Sequence, residues 1–243
     1  MALEYTGPSL TSKQMAEVDR LMVEVYHIEL IQMMENAGRG LARLAQERFL
    51  EHNPDGKRVT VLAGSGGNGG GALVSARNLA NWGADVHLVL TKPPSAFSGV
   101  PRHQLDIAIH IGIPVHHIED LLALGESDLV IDGLIGYGLA GAPRGAAREL
   151  IVWANAQDAP ILSLDTPSGL DVTTGVPCAL AIRADATMTL ALPKIGLLLE
   201  VATPYVGELF LADIGVPPRL YEAIGIFVDG STLFGYRSTF RVR

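Results

Sequence analysis

Three polar side chains fall where an apolar run stops, and each is followed by a turn. Asp165 ends the run Ala159-Pro160-Ile161-Leu162-Ser163-Leu164 and opens Thr166-Pro167-Ser168-Gly169. Asp132 ends Leu129-Val130-Ile131 and precedes Gly133. Val59-Thr60-Val61-Leu62-Ala63 runs into Gly64-Ser65-Gly66-Gly67-Asn68-Gly69-Gly70-Gly71. Short apolar runs bounded by Pro and Gly read as buried strands. In parallel α/β sheets the carboxyl ends of such strands are where ligands bind. The pattern predicts one site with two acids at a sheet rim, an amide able to hold a cation or a hydroxyl, and a backbone open to close approach.

The glycine run matches G-x-G-x-x-G after a strand, but a dinucleotide fold also needs an acid near the end of the next strand. Asp85 opens that strand, which closes on Leu90-Thr91-Lys92, so the redox reading is weak. No Lys-Ser/Thr follows the glycines, which excludes a nucleoside-triphosphate loop. Six glycines in the eight positions 64–71 carry a large entropic cost for a mere turn and favour backbone contact with a ligand.

The elements that must position these residues alternate. Helix-like segments follow the strands near Ala72–Trp82, Arg102–Ile111 and Ala146–Ala156, with further strands at Val86–Leu90, Ala186–Leu190 and Glu208–Ala212. Alternation at this pitch predicts right-handed βαβ units and a Rossmann-like three-layer α/β/α sandwich with a mostly parallel central sheet. Two helices precede it. Thr11-Ser12-Lys13-Gln14 reads as a capping box ahead of Met15, Val18 and Met22, and a second helix spans about Glu29 to Leu50. No repeat or linker divides the chain, which reads as a single domain over residues 1–243 with its core in about 9–222.

Hydrophobic residues make up 48% of the 243, enough for a sizeable core, and the net charge of −8 argues against a nucleic-acid surface. The basic tail Tyr236–Arg243 is short. Residues 1–10 lack a secretory pattern, no apolar stretch is long enough for a membrane span, and the single cysteine, Cys178, allows no intrachain disulfide. The expected compartment is the cytoplasm. The seven histidines show no metal spacing: His103 and His110 read as solvated, and His116-His117 as a helix cap.

Six ordered blocks resemble the YjeF N-terminal-domain family, whose enzymes are NAD(P)H-hydrate epimerases. They are Met34-Glu35-Asn36-Ala37-Gly38, the glycine run to Leu73, Ile131 to Gly141, Asp165 to Gly175, Ala184 to Leu197, and Asp213-Ile214-Gly215-Val216-Pro217. Gly67 and Gly71 stand where the family has Asn and Asp, and Tyr137 where it has Thr. The resemblance implies an epimerase acting on the two C6 epimers of hydrated NADH and NADPH, with a separate dehydratase completing the repair. It implies a potassium ion at Asn68, Asp132 and Ser168. It implies substrate contacts from Gly67, Asn68, Gly69, Gly70 and Gly71, from Gly136, Tyr137, Gly138, Leu139, Ala140, Gly141 and Ala142, and from a catalytic Asp165. Lys194 either tunes Asp165 or holds the substrate hydroxyl, or is an ordinary ion-paired or solvent-facing lysine. The ion ligands would equally form a polar cluster around water. A second reading is a non-catalytic binding or dimerisation module, since the fold also serves an mRNA-decapping enhancer. A homodimer is expected through Met15, Val18, Met22, Ile31, Met33 and Met34, unless those residues wrap the sheet of their own subunit.

Overall fold

The computed structural model describes residues 5–229, 233–235 and 237–243. The first four residues of the stretch read for a signal, and Tyr236 of the basic tail, lie outside the described residues. Thr11 caps α1 (Ser12–Glu24) in a reciprocal box with Gln14, and Glu29 and Gln32 do the same for α2 (Leu30–Arg48). There follow β1 (Arg58–Ala63), α3 (Gly67–Asn81), β2 (Asp85–Leu90), α4 (Gly99–His110), β3 (Val115–His116) and β4 (Leu129–Gly133). The chain continues through α5 (Gly145–Ala154), β5 (Ile161–Leu164), β6 (Ala186–Leu190), α6 (Thr203–Val206), β7 (Glu208–Ala212), α7 (Pro218–Ala223) and β8 (Thr239–Arg241).

The strands form one sheet in the order β3-β2-β1-β4-β5-β6-β7-β8, parallel except for β8, which runs antiparallel to β7. Successive side chains of a strand face opposite ways. In β1, Val59, Val61 and Ala63 join the core under α2, α3 and α4, while Leu62 joins the one beneath α5. The result is the α/β/α sandwich. The chain winds outward from β1 through β2 to β3 and then returns to β4 on the other side of β1. That reversal is the topological switch point, where an α/β sheet opens a crevice. Register sets Leu62 opposite Asp132, and Asp132 opposite Ser163, so the polar strand ends lie side by side.

Two expectations change. Helix α3 begins at Gly67, not near Ala72, so the later glycines sit inside the helix. They are small because the backbone packs closely: a Cβ on Gly69 would lie 1.7 Å from the Gly64 carbonyl oxygen, and one on Gly38 of α2 would lie 2.4 Å from Val74 Cβ. The apolar face invoked for dimerisation is largely covered within the chain. Met15, Val18, Met22 and Met33 are buried in a cluster with Leu10, Leu192, Ile214 and Tyr221, and Met34 is buried too. What remains exposed on α1 and its exit is Val23 and Val25, with Leu30 at the start of α2. Strands β3 and β8 escape the alternation rule because they are two and three residues long. No helix among the described residues is long and apolar enough to cross a membrane.

The packing account makes Gly69→Ala the discriminating substitution. It should cost about 3 kcal/mol in urea unfolding, since the obstacle is a backbone carbonyl. Gly67→Ala faces nothing within 4 Å and should stay within about 0.5 kcal/mol of the parent. Equal stabilities would remove the close-packing explanation.

Candidate active site

A pocket of about 670 Å³ opens over the carboxyl ends of β1, β4 and β5. Asp165 is on its wall. It directly follows β5 and adopts φ +65°, in a three-residue turn where Thr166 N–H donates to the Leu164 carbonyl at 2.8 Å. A positive φ costs an L-residue about 1 kcal/mol and is best tolerated by short polar side chains. Asp165 is only 3% exposed. One carboxylate oxygen accepts from Lys194 Nζ, and the other accepts from Tyr137 N–H at 3.1 Å.

Lys194 is fully buried and is not on the pocket wall. Besides Asp165, its ammonium donates to the Leu190 carbonyl at 3.0 Å and Thr189 Oγ1 at 3.3 Å, so three acceptors meet three protons. Its backbone is held by the amino-terminal segment: Leu10 N–H donates to Pro193 O, and Ile195 N–H to Leu10 O. The surface-lysine alternative is thereby excluded.

Asp132 is completely buried. Its Oδ1 accepts from Leu134 N–H and the Ser168 hydroxyl, and its Oδ2 from the Ser163 hydroxyl and Ser168 N–H, at 2.6–3.2 Å. Burial lifts its pKa above the ordinary carboxylate value, with these four hydrogen bonds pulling the other way. Among the described residues the Asn68 amide Nδ2 is buried without a partner. Amide N and O assignments interchange, so this orphaned group presents a ligand oxygen equally well. The Ser168 hydroxyl also lies 3.2 Å from the Ile135 carbonyl, and turning its proton there leaves Asp132 Oδ1 with the Leu134 N–H as its one remaining donor among the described residues. In kind, these donors fit a monovalent cation.

Of the expected substrate residues, Gly67, Asn68, Gly71, Gly136, Tyr137, Gly138 and Asp165 line the pocket. Gly69 and Gly70 do not: they are buried against Gly64 and Met34. Leu139, Ala140, Gly141 and Ala142 also lie off the pocket wall, the last three exposed to solvent. Gly71 abuts Leu164, whose Cδ2 would be 2.8 Å from an added Cβ, so leucine occupies the space a larger residue there would need.

Three charged pocket residues, Asp19, Arg20 and Glu24, escaped the sequence reading, and Arg20 and Glu24 pair with each other. Asp19 of α1 lines the cavity and accepts the Tyr137 phenol at 2.5 Å. Burial raises its carboxyl pKa, opposed by the Tyr137 hydrogen bond and by the charge of Lys194, and the Tyr137 phenol is raised by burial and by Asp19. The signal was present: Asp19 falls on the same helical face as Met15, Val18 and Met22, where a charge is out of place. The histidines contribute nothing here. His116 pairs with His87 at the sheet edge, and His117 caps a short 3₁₀ turn.

Comparison with known proteins agrees with this architecture. An NAD(P)H-hydrate epimerase from Dehalogenimonas lykanthroporepellens is 43% identical over 93% of this chain and 92% of its own. A bifunctional NAD(P)H-hydrate repair enzyme from Salinibacter ruber is 36% identical over 88% of this chain, which spans 42% of that longer protein. The crystal structure of yeast ynu0 superposes with a TM-score of 0.76 over 96% of this chain and 99% of its own, at 23% identity, and shares the fold. The family described as YjeF-related protein N-terminus matches residues 30–196, which contain the three strand ends, Asp165 and Lys194, and the chain belongs to that family.

Proposed function

We propose that the protein interconverts the two C6 epimers of hydrated NADH and NADPH. The observation that carries this reading is the buried Asp165–Lys194 ion pair on a strand-end pocket, in a chain similar along most of its length to a named NAD(P)H-hydrate epimerase. At C6 of the hydrated ring a hydroxyl and the ring nitrogen share one carbon. Loss of hydroxide, with the nitrogen lone pair moving in, gives a planar cation. Water returning to the other face gives the other epimer. Asp165 supplies negative charge beside that cation and a proton acceptor for the entering water. Lys194 fixes the orientation of the carboxylate from outside the pocket. The amino end of α3, at Gly66 and Gly67, has no side-chain cap among the described residues, and its N–H groups suit the substrate's diphosphate.

A potassium ion held by Asn68, Asp132 and Ser168 fits this reading. When bound it supplies a positive charge that offsets the buried Asp132 carboxylate. The activity would pass its product to a separate hydrate-removing enzyme, consistent with the bifunctional repair enzyme among the relatives. The cytoplasm, where nicotinamide nucleotides are used, is the compartment we infer. We infer a homodimer as well, on the narrower apolar basis of Val25 beside Val23 and Leu30, the latter two of which also line the pocket.

Three measurements test these points. Asp165→Asn should lower epimerisation by about 100-fold or more and should also destabilise the fold by about 3–5 kcal/mol, because it strands the Lys194 charge. The double variant Asp165→Asn/Lys194→Met should regain most of that stability and none of the rate. Recovery of rate in the double variant, or parental rate in the single one, would remove Asp165 from the reaction.

Thermal unfolding in potassium chloride rather than choline chloride should raise Tm by about 5 °C at a hundredfold excess over Kd, equivalent to about 2.7 kcal/mol. Asp132→Asn should lose the shift. The sign with pH follows from the raised Asp132 pKa. In the folded state the carboxylate charges later than in the unfolded chain, so without the ion stability falls as pH rises through that window. The potassium effect should be greatest at neutral pH and vanish in acid. Equal Tm values in the two salts would refute the ion. Sedimentation at micromolar protein should return twice the mass of one chain, and a single-chain mass would dismiss the dimer.

A further inference from the structure

Epimerisation makes a demand that one carboxylate does not meet. The hydroxyl departs from one face of the ring and water arrives at the other, so protons are handled on both faces. Asp165, fixed at the sheet rim by Lys194 and by Tyr137 N–H, reaches one side. Glu24 of α1 also lines the pocket but pairs with Arg20, and the second carboxyl linked to Asp165 is Asp19 on the same helix. Tyr137 joins the two: its backbone N–H binds Asp165 and its phenol binds Asp19 Oδ2, so the carboxyls stand at opposite ends of one tyrosine. Among the described residues no hydrogen bond is made to Asp19 Oδ1, which leaves that oxygen for a proton or a ligand.

We propose that Asp19, oriented by Tyr137, is a second catalytic residue that exchanges a proton with the C6 oxygen on the ring face opposite Asp165. The inference rests on the epimerase reading. In one direction the C6–O bond breaks with its electron pair leaving on oxygen. Asp19, protonated on Oδ1, gives its proton to that oxygen, which departs as water. The ring nitrogen lone pair forms the C6–N double bond of the cation. Water then adds from the Asp165 side with its own electron pair, the C6–N π pair returns to nitrogen, and the surplus proton passes to Asp165. One turnover moves one proton from Asp19 to Asp165, and the reverse turnover returns it. No oxidant or further reactant is needed. Burial favours the required protonated form of Asp19, since it raises that carboxyl.

Oxygen exchange separates this role from a structural one. Each purified epimer is incubated with the protein in ¹⁸O-water, and both epimerisation and label uptake at C6 are followed against the enzyme-free rates. The parent protein should label both epimers as it interconverts them. Asp19→Asn should lower epimerisation by about 100-fold or more while still labelling one epimer, by departure and return on the Asp165 face. Tyr137→Phe, which keeps the backbone N–H to Asp165, should show the same one-sided labelling in milder form. Parental epimerisation by Asp19→Asn would overturn the proposal. So would equal loss of labelling in both epimers from a protein that stays folded, because Asp19 would then only shape the pocket. A parent protein that epimerises no faster than the enzyme-free control withdraws the functional reading itself, and this inference with it.

Discussion

A full positive charge with no access to water has to be matched inside the protein, and Lys194 is such a charge. Its match is Asp165, and the position of each part of the site follows from that pairing. The ammonium also binds Thr189 and Leu190 at the end of β6, so it ties the ends of β5 and β6 together. Its backbone pairs with Leu10, which draws the amino-terminal segment and α1 across the pocket. The remaining oxygen of Asp165 holds the Tyr137 loop. A buried ion pair contributes little to stability compared with apolar residues of the same size. The pair sits at a turn of positive φ, with Asp165 on the pocket wall and Lys194 behind it.

Around this pair the sheet supplies direction and the glycines supply room. The reversal of winding between β1 and β4 opens the crevice. Close packing of α3 against Gly64 and against α2 lowers the helix toward the sheet, so that its first residues, not its middle, look into the pocket. Asp132 works from beneath: its four hydrogen bonds lock the turn after β4 to the turn after β5. That lock sets the spacing of the two loops that flank Asp165.

The strand ends were legible because each signal is local. An apolar run, an acid and a turn lie within ten residues at both Asp132 and Asp165, and βαβ alternation then orders them. Lys194 could be named but not placed, since its burial depends on Leu10 and Thr189, far away or uninformative in sequence. Asp19 was missed because a single polar residue on an apolar helical face carries no chemistry until the facing element is known, and here that element is Tyr137. The glycine run misled in part. Composition says that the backbone comes close to something, but not whether that something is a ligand or the Gly64 carbonyl. The stretch from Leu139 to Ala142 shares its pattern with the pocket loop before it, yet leaves the pocket once Gly138 is passed.

The short strand β8 lies along β7, whose Leu209-Phe210-Leu211 would otherwise be a sheet border. Arg241 of this strand pairs with Glu208 of β7, and Arg48 of α2 reaches the same carboxylate. At the far side the sheet tapers to the two residues of β3. Neither margin offers a long, apolar row of unpaired backbone groups, which is the surface through which sheets recruit foreign strands. Strand β8 therefore acts as a selvedge. By finishing the sheet with a brief, reversed and charged strand, it leaves a concentrated protein little means of growing edge to edge.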